Sequence, residues 1–148
     1  MNTVLRSTDQ IRPVAARIGS DEEAIATARR LAAQFAARAA ERDAGRILPF
    51  TELDLLAQSG LLAITVPAQY GGLDASTALL AEITAILSEA DGSIGQIPQN
   101  HFYILEALRT DGGEEQQRYF FGRVLAGDRF GNALSERGTK TVGHYNTR

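Results

Sequence analysis

Arg129-Phe-Gly-Asn-Ala-Leu-Ser-Glu-Arg-Gly-Thr-Lys-Thr141 decides how this chain is read. It opens like a strand, Phe130 to Leu134, and then breaks into a short polar turn of hydroxyls around Gly138. Everything upstream carries helical spacing. The order predicts an all-α fold, an up-and-down helical bundle, running into the first strand of a truncated β-domain. Small hydroxyls and free backbone N–H groups at the end of a strand can grip the polar edge of a flat cofactor and its phosphates.

Working outward, the composition narrows the function classes. The 148 residues suffice for one domain, or one domain and the start of another. A net charge of -3 implies no basic face, so nucleic acid is excluded as an expected partner. The absence of cysteine removes disulfides, thiolate metal sites and a cysteine nucleophile. His101 and His144 stand too far apart for metal-ligand spacing, and no metal is expected. The longest apolar run, Leu61 to Pro67, is strand-sized and far short of a membrane span. Residues 1–19 carry Arg6, Arg12 and Arg17 against Asp9 and lack the apolar core of a secretory signal. They read as a mobile leader, with a transit peptide as the competing reading, and cytoplasm is the default location.

The helices follow from local signals. Ser20-Asp-Glu-Glu23 is a capping box with acids at the positive end of the helix dipole. Ile25, Ala28, Leu31, Ala32, Phe35 and Ala39 then recur at helical spacing through about Arg42. A short helix, Thr51 to Ser59, should bury Leu53 and Leu56, with Gly60 as its stop. A third helix starts near Asp74 or Ser76 and presents Leu79, Leu80, Ile83, Ile86 and Leu87. A fourth spans about 93–109 with Ile97, His101, Ile104, Leu105 and Leu108 on one side, and Pro98 either starts or kinks it. The fifth runs from Glu114 to Leu125 and ends at Gly127. The organisation expected is thus a leader, 1–19, a helical domain, 20–127, and the start of a β-domain, 128–148. Alternating β-α units and Gly-rich phosphate loops are absent, which argues against a Rossmann-type nucleotide site.

Three ordered segments resemble the N-terminal half of the acyl-CoA dehydrogenase superfamily. They are Ser59-Gly-Leu-Leu-Ala-Ile-Thr-Val-Pro-Ala-Gln-Tyr-Gly-Gly72, then Gly113-Glu-Glu-Gln-Gln-Arg118 with Leu125-Ala-Gly-Asp128, then Asn132–Thr141. Ser93-Ile-Gly-Gln-Ile-Pro-Gln-Asn-His101 and Phe130-Gly-Asn-Ala-Leu-Ser-Glu136 are similar to one branch, the sulfur-acquisition oxidoreductases and desulfurising flavin monooxygenases. Dehydrogenases typically read Thr-Glu-Pro-x-x-Gly-Ser-Asp at the flavin strand, whereas this chain has Ser135-Glu-Arg-Gly-Thr-Lys-Thr141. That departure leaves the cofactor open between FMN and FAD.

The resemblance assigns roles residue by residue. Leu134 and Ser135 fall where the family holds the flavin pyrimidine edge; a serine that simply ends a strand is the competing reading. Thr141, with Lys140 adding charge, falls where pyrophosphate is held. Asn132 aligns with an asparagine near the reactive flavin carbon, where an amide can donate without acting as an acid. His101 aligns with a histidine that faces the flavin in monooxygenase relatives; a satisfied core histidine is the competing reading. Glu52, Asp54, Glu82, Glu89 and Glu106 read as solvent-facing, and Tyr70 with Gly71-Gly72 as a turn anchor.

These features imply the N-terminal part of a flavin-dependent oxidoreductase, preferentially a reduced-flavin monooxygenase of small organosulfur compounds served by a separate flavin reductase. The resemblance also implies a homotetramer and a C-terminal half beyond Arg148, so this chain alone is expected to be inactive. An FAD-dependent acyl-CoA dehydrogenase is the alternative enzyme. A non-catalytic helical interaction domain is the alternative from another class, and the Asn132–Thr141 strand-turn speaks against it.

Overall fold

A computed structural model describes residues 14–132 and Thr141. These residues form seven α-helices: α1 Asp21–Ala36, α2 Ala39–Gly45, α3 Phe50–Gln58, α4 Thr77–Ala90, α5 Gly92–Gln96, α6 Gln99–Asp111 and α7 Glu114–Leu125. The all-α expectation is met for the helical body. The strand expected at Phe130–Leu134 lies partly outside the described residues, and Phe130–Asn132 themselves have no regular structure. No helix among the described residues is long and apolar enough to cross a membrane.

Ser20 caps α1 as its position suggests, its hydroxyl accepting from the Glu23 amide at 3.2 Å. The Glu23 carboxylate reaches one residue further back than the expected box, to the Gly19 amide at 2.7 Å. The helix expected to continue to about Arg42 breaks at Ala37–Arg38 instead. A continuing helix would give the Phe35 carbonyl to the Ala39 amide. Here Arg42 folds back and donates to that carbonyl from Nη2 at 2.6 Å, which the break makes reachable.

Arg42 is only 6% exposed and closes one side of the bundle. It meets Asp91 at 2.7 Å and Glu52 at 2.9 Å. Glu52 is therefore drawn inward, its side chain 16% exposed, and is not the solvent-facing carboxylate expected. Burial pushes the Asp91 carboxyl up, but the Arg42 hydrogen bond, the Ile94 and Ser93 amides and the Arg42 charge together hold it below the ordinary value. Asp91 thereby caps α5 while neutralising a buried guanidinium.

Two apolar clusters form the interior. The first joins α1, α3, α4 and α5 through Leu31, Phe35, Leu56, Ile83, Leu87 and Ile94. The second joins α6 and α7 to the preceding loop through Val66, Leu105, Phe121, Val124 and Leu125. Phe102 packs on both. The helix expected over 93–109 is split, with Pro98 opening α6 and Ile97 left 45% exposed at the joint.

The run Leu61 to Pro67 makes no strand. It is a buried 3-10 turn, Leu61–Ala63, and a loop whose carbonyls are all engaged. Leu62 is met by the His101 ring at 2.7 Å, Ala63 by the Val66 amide at 3.1 Å and Ile64 by the Ala75 amide at 2.8 Å. Thr65 accepts from Arg109 at 2.6 Å, and Val66 from the Asp74 amide at 3.0 Å. The turn that follows needs its glycines: Gly71 sits at φ 90°, and a Cβ on Gly72 would strike the Val66 carbonyl. Tyr70 anchors it, donating from its hydroxyl to Gln117 Oε1 at 2.8 Å and packing on Phe121.

Residues 14–19 run across the body. Ala15 is buried, and the Ala16 amide donates to the Gln58 carbonyl at 2.8 Å. The remainder of the expected leader lies outside the described residues.

Candidate functional site

The end of α7 delivers the chain to the segment that drew attention in the sequence. Asp128 turns it, its amide donating to the Arg123 carbonyl at 3.1 Å and its carboxylate pairing with Arg123 at 2.5 Å. Arg129 then pairs with Asp54 of α3 at 3.2 Å. Phe130 turns inward against Phe120, with ring centroids 5.6 Å apart, and against His101, 5.9 Å apart. A small cavity of about 210 Å³ opens beside it, lined in part by Tyr119, Phe120, Arg123 and Phe130.

His101 is 1% exposed, and both ring nitrogens are taken. The Phe130 amide donates to Nδ1 at 3.0 Å. An amide can only donate, so Nδ1 is bare and the proton sits on Nε2, which donates to the Leu62 carbonyl at 2.7 Å. Phe102 covers one ring edge, with centroids 5.3 Å apart. Burial pushes the imidazole pKa below its ordinary value; the Leu62 carbonyl opposes this, and the Arg129 charge reinforces it. The residue is a neutral imidazole bonded to main chain at both ends.

Asn132 is exposed two residues beyond Phe130, and Thr141 is exposed as well. Leu134, Ser135 and Lys140 lie outside the described residues. The structure thus brings His101 to the foot of the segment but shows neither of its nitrogens open to a ligand. Asn132 is exposed at the surface. Sequence reasoning missed Arg129–Asp54 and Arg42, since both depend on partners remote in sequence. A larger cleft of about 690 Å³ lies between α4 and α6, walled by Leu80, Ile83, Phe102, Tyr103 and Arg109. The Thr65 hydroxyl borders it, buried and without a hydrogen-bond partner among the described residues. No cluster of three metal-ligating side chains occurs among those residues.

Residues 19–128 match the acyl-CoA dehydrogenase N-terminal domain. The chain belongs to this family. Its relatives include dibenzothiophene monooxygenase of Rhodococcus erythropolis, 30% identical over 95% of this chain and 33% of the relative. "Probable FMNH2-dependent monooxygenase SfnC" of Pseudomonas putida is 35% identical over 80% of this chain and 30% of the relative. 3-Sulfinopropanoyl-CoA desulfinase of Cupriavidus necator is 30% identical over 69% of this chain and 26% of the relative. The chain spans about a third of the length of the curated relatives it matches. The sulfur-related branch expected from the residues is the one these relatives represent.

Proposed function

We propose that this chain is the helical N-terminal part of a reduced-flavin monooxygenase acting on small organosulfur compounds. The observation that carries the reading is the seating of the exit segment. His101 and Phe120 hold Phe130 against the bundle, and Asn132 just beyond it is exposed, in a chain whose relatives bear monooxygenase names.

The residues present suit a flavin in their chemistry. An amide at Asn132 and a hydroxyl at Thr141 are exposed, and the Phe120 and Phe130 rings pack together where the segment begins. A reduced flavin, when bound, supplies the electrons for oxygen activation. On this reading the Leu134 and Ser135 amides and the Ser135 hydroxyl hold the pyrimidine edge, and Lys140 and Thr141 hold the phosphate end. Asn132 donates a hydrogen bond at the reactive edge without giving up a proton. Phe120 and Phe130 exclude water from that side. The cofactor is FMN or FAD, the reductant is delivered by a separate flavin reductase, and the whole protein assembles as a homotetramer in the cytoplasm.

The test uses the full-length gene product. Mixed anaerobically with FAD and a panel of acyl-CoA thioesters, it should leave the flavin oxidised. Given reduced FMN, oxygen and dibenzothiophene as a probe, it should form the sulfoxide. Bleaching by acyl-CoA would transfer the protein to the dehydrogenase reading.

A further inference from the structure

We propose that His101 is the positioning residue for the flavin-binding segment, acting through the Phe130 amide and not on the reacting atoms; this rests on the flavin reading above.

The chain leaves the helical body at Arg129 with little to guide it. Among the described residues, the bond from the Phe130 amide to His101 is the one main-chain hydrogen bond that residues 129–132 make to the bundle. The Arg129–Asp54 pair is part-exposed, and such pairs constrain geometry weakly. The strut behind Phe130 is rigid. Its far end is fixed to the Leu62 carbonyl, and the carbonyls that follow, Ala63 to Val66, are each committed. Phe102 and Phe130 leave the ring little room to turn. Contact of His101 with a cofactor would require giving up one of its two main-chain bonds. Asn132 lies only two residues beyond the anchored amide, so a shift at Phe130 passes to the side chain that meets the flavin. Errors of an ångström in such placements are costly in rate and affinity.

Two isosteric replacements separate the ends of the strut. His101→Asn places an amide oxygen near Nδ1 and can accept from Phe130 while losing Leu62. His101→Gln reaches the Leu62 carbonyl and abandons Phe130. In the full-length gene product, hydrogen exchange at the Phe130 amide and anaerobic affinity for reduced FMN are measured for both. The expected result is near-native exchange and affinity in the Asn variant. The Gln variant should show about tenfold faster Phe130 exchange and about tenfold weaker flavin binding, the loss of one hydrogen bond.

Equal behaviour of the two variants overturns the proposal. So does full flavin affinity in both with turnover abolished, which would return His101 to a direct catalytic role. Wild-type protein without flavin affinity sinks the flavin reading, and the Phe130 exchange order then decides the strut alone. Should the Gln variant not fold, nitrogen NMR of the wild-type ring is decisive. A proton on Nδ1 at neutral pH contradicts the proposal; an Nδ1 that stays unprotonated under mild acid supports it.

Discussion

The two apolar clusters of this small bundle are built from different materials. The first, under α1 and α4, is largely aliphatic and sealed by a buried arginine between two carboxylates. The second, under α6 and α7, is edged by the partly buried rings of Tyr70, Phe102 and Phe130 and stitched by hydrogen bonds at His101, Tyr70 and Gln117. A cluster of aliphatic side chains gains stability by burial but directs nothing outside itself. Directional bonds to main chain contribute less stability but fix where the chain goes next. The exit segment leaves from the second cluster.

Emptying each cluster in turn separates their roles. Phe35→Ala and Phe121→Ala should each cost about 3–5 kcal/mol in denaturant unfolding. Only Phe121→Ala should also speed hydrogen exchange in residues 126–132. If Phe35→Ala does so equally, the two clusters are one unit. Arg42→Ala should cost about 3 kcal/mol or more, since Asp91 and Glu52 lose their buried counter-charge. A loss near zero in chemical denaturation would show that the network is solvated in solution.

The folded pKa of His101 lies below its ordinary value of 6.5, so the unfolded chain takes up the proton first. The contribution of His101 is complete above that value and is lost as pH falls through the folded pKa. The slope it causes cannot exceed about 1.4 kcal/mol per pH unit. Asp91, also depressed, holds its contribution above its ordinary value of 3.8 and loses it only in stronger acid. Stability measured from pH 7 to pH 5 should therefore decline in the wild type and flatten in His101→Asn. A slope unchanged by the substitution would mean another group titrates. The smallest effect expected is that of Tyr70→Phe, about 1 kcal/mol for the lost bond to Gln117. A loss several times larger in the same unfolding assay would mean that the turn depends on this one hydroxyl.

Much of the fold is legible locally. The Ser20 cap, the Leu79, Ile83 and Leu87 stripe and the bounds of α7 each depend on residues within a turn or two. What is not legible depends on distant partners. Arg42 stands at the end of the helical run expected from Ile25, and its partner Asp91 is 49 residues away. The break at Ala37 opens the Phe35 carbonyl to that same arginine. His101 is legible as a residue on an apolar face, yet its partners are a carbonyl and an amide, which no side-chain pattern announces. Of the candidate site, the segment itself was visible in the residues, while its anchoring was not. Leu134, Ser135 and Lys140 keep the roles proposed from the family resemblance.

Hydrogen exchange across the full-length gene product, with and without reduced FMN under anaerobic conditions, tests whether the exit segment meets the flavin. Flavin should slow exchange at residues 129–132 and beyond while leaving α1 and α4 unchanged. Protection confined to the α4–α6 cleft, or none in the exit segment at saturating flavin, would contradict it.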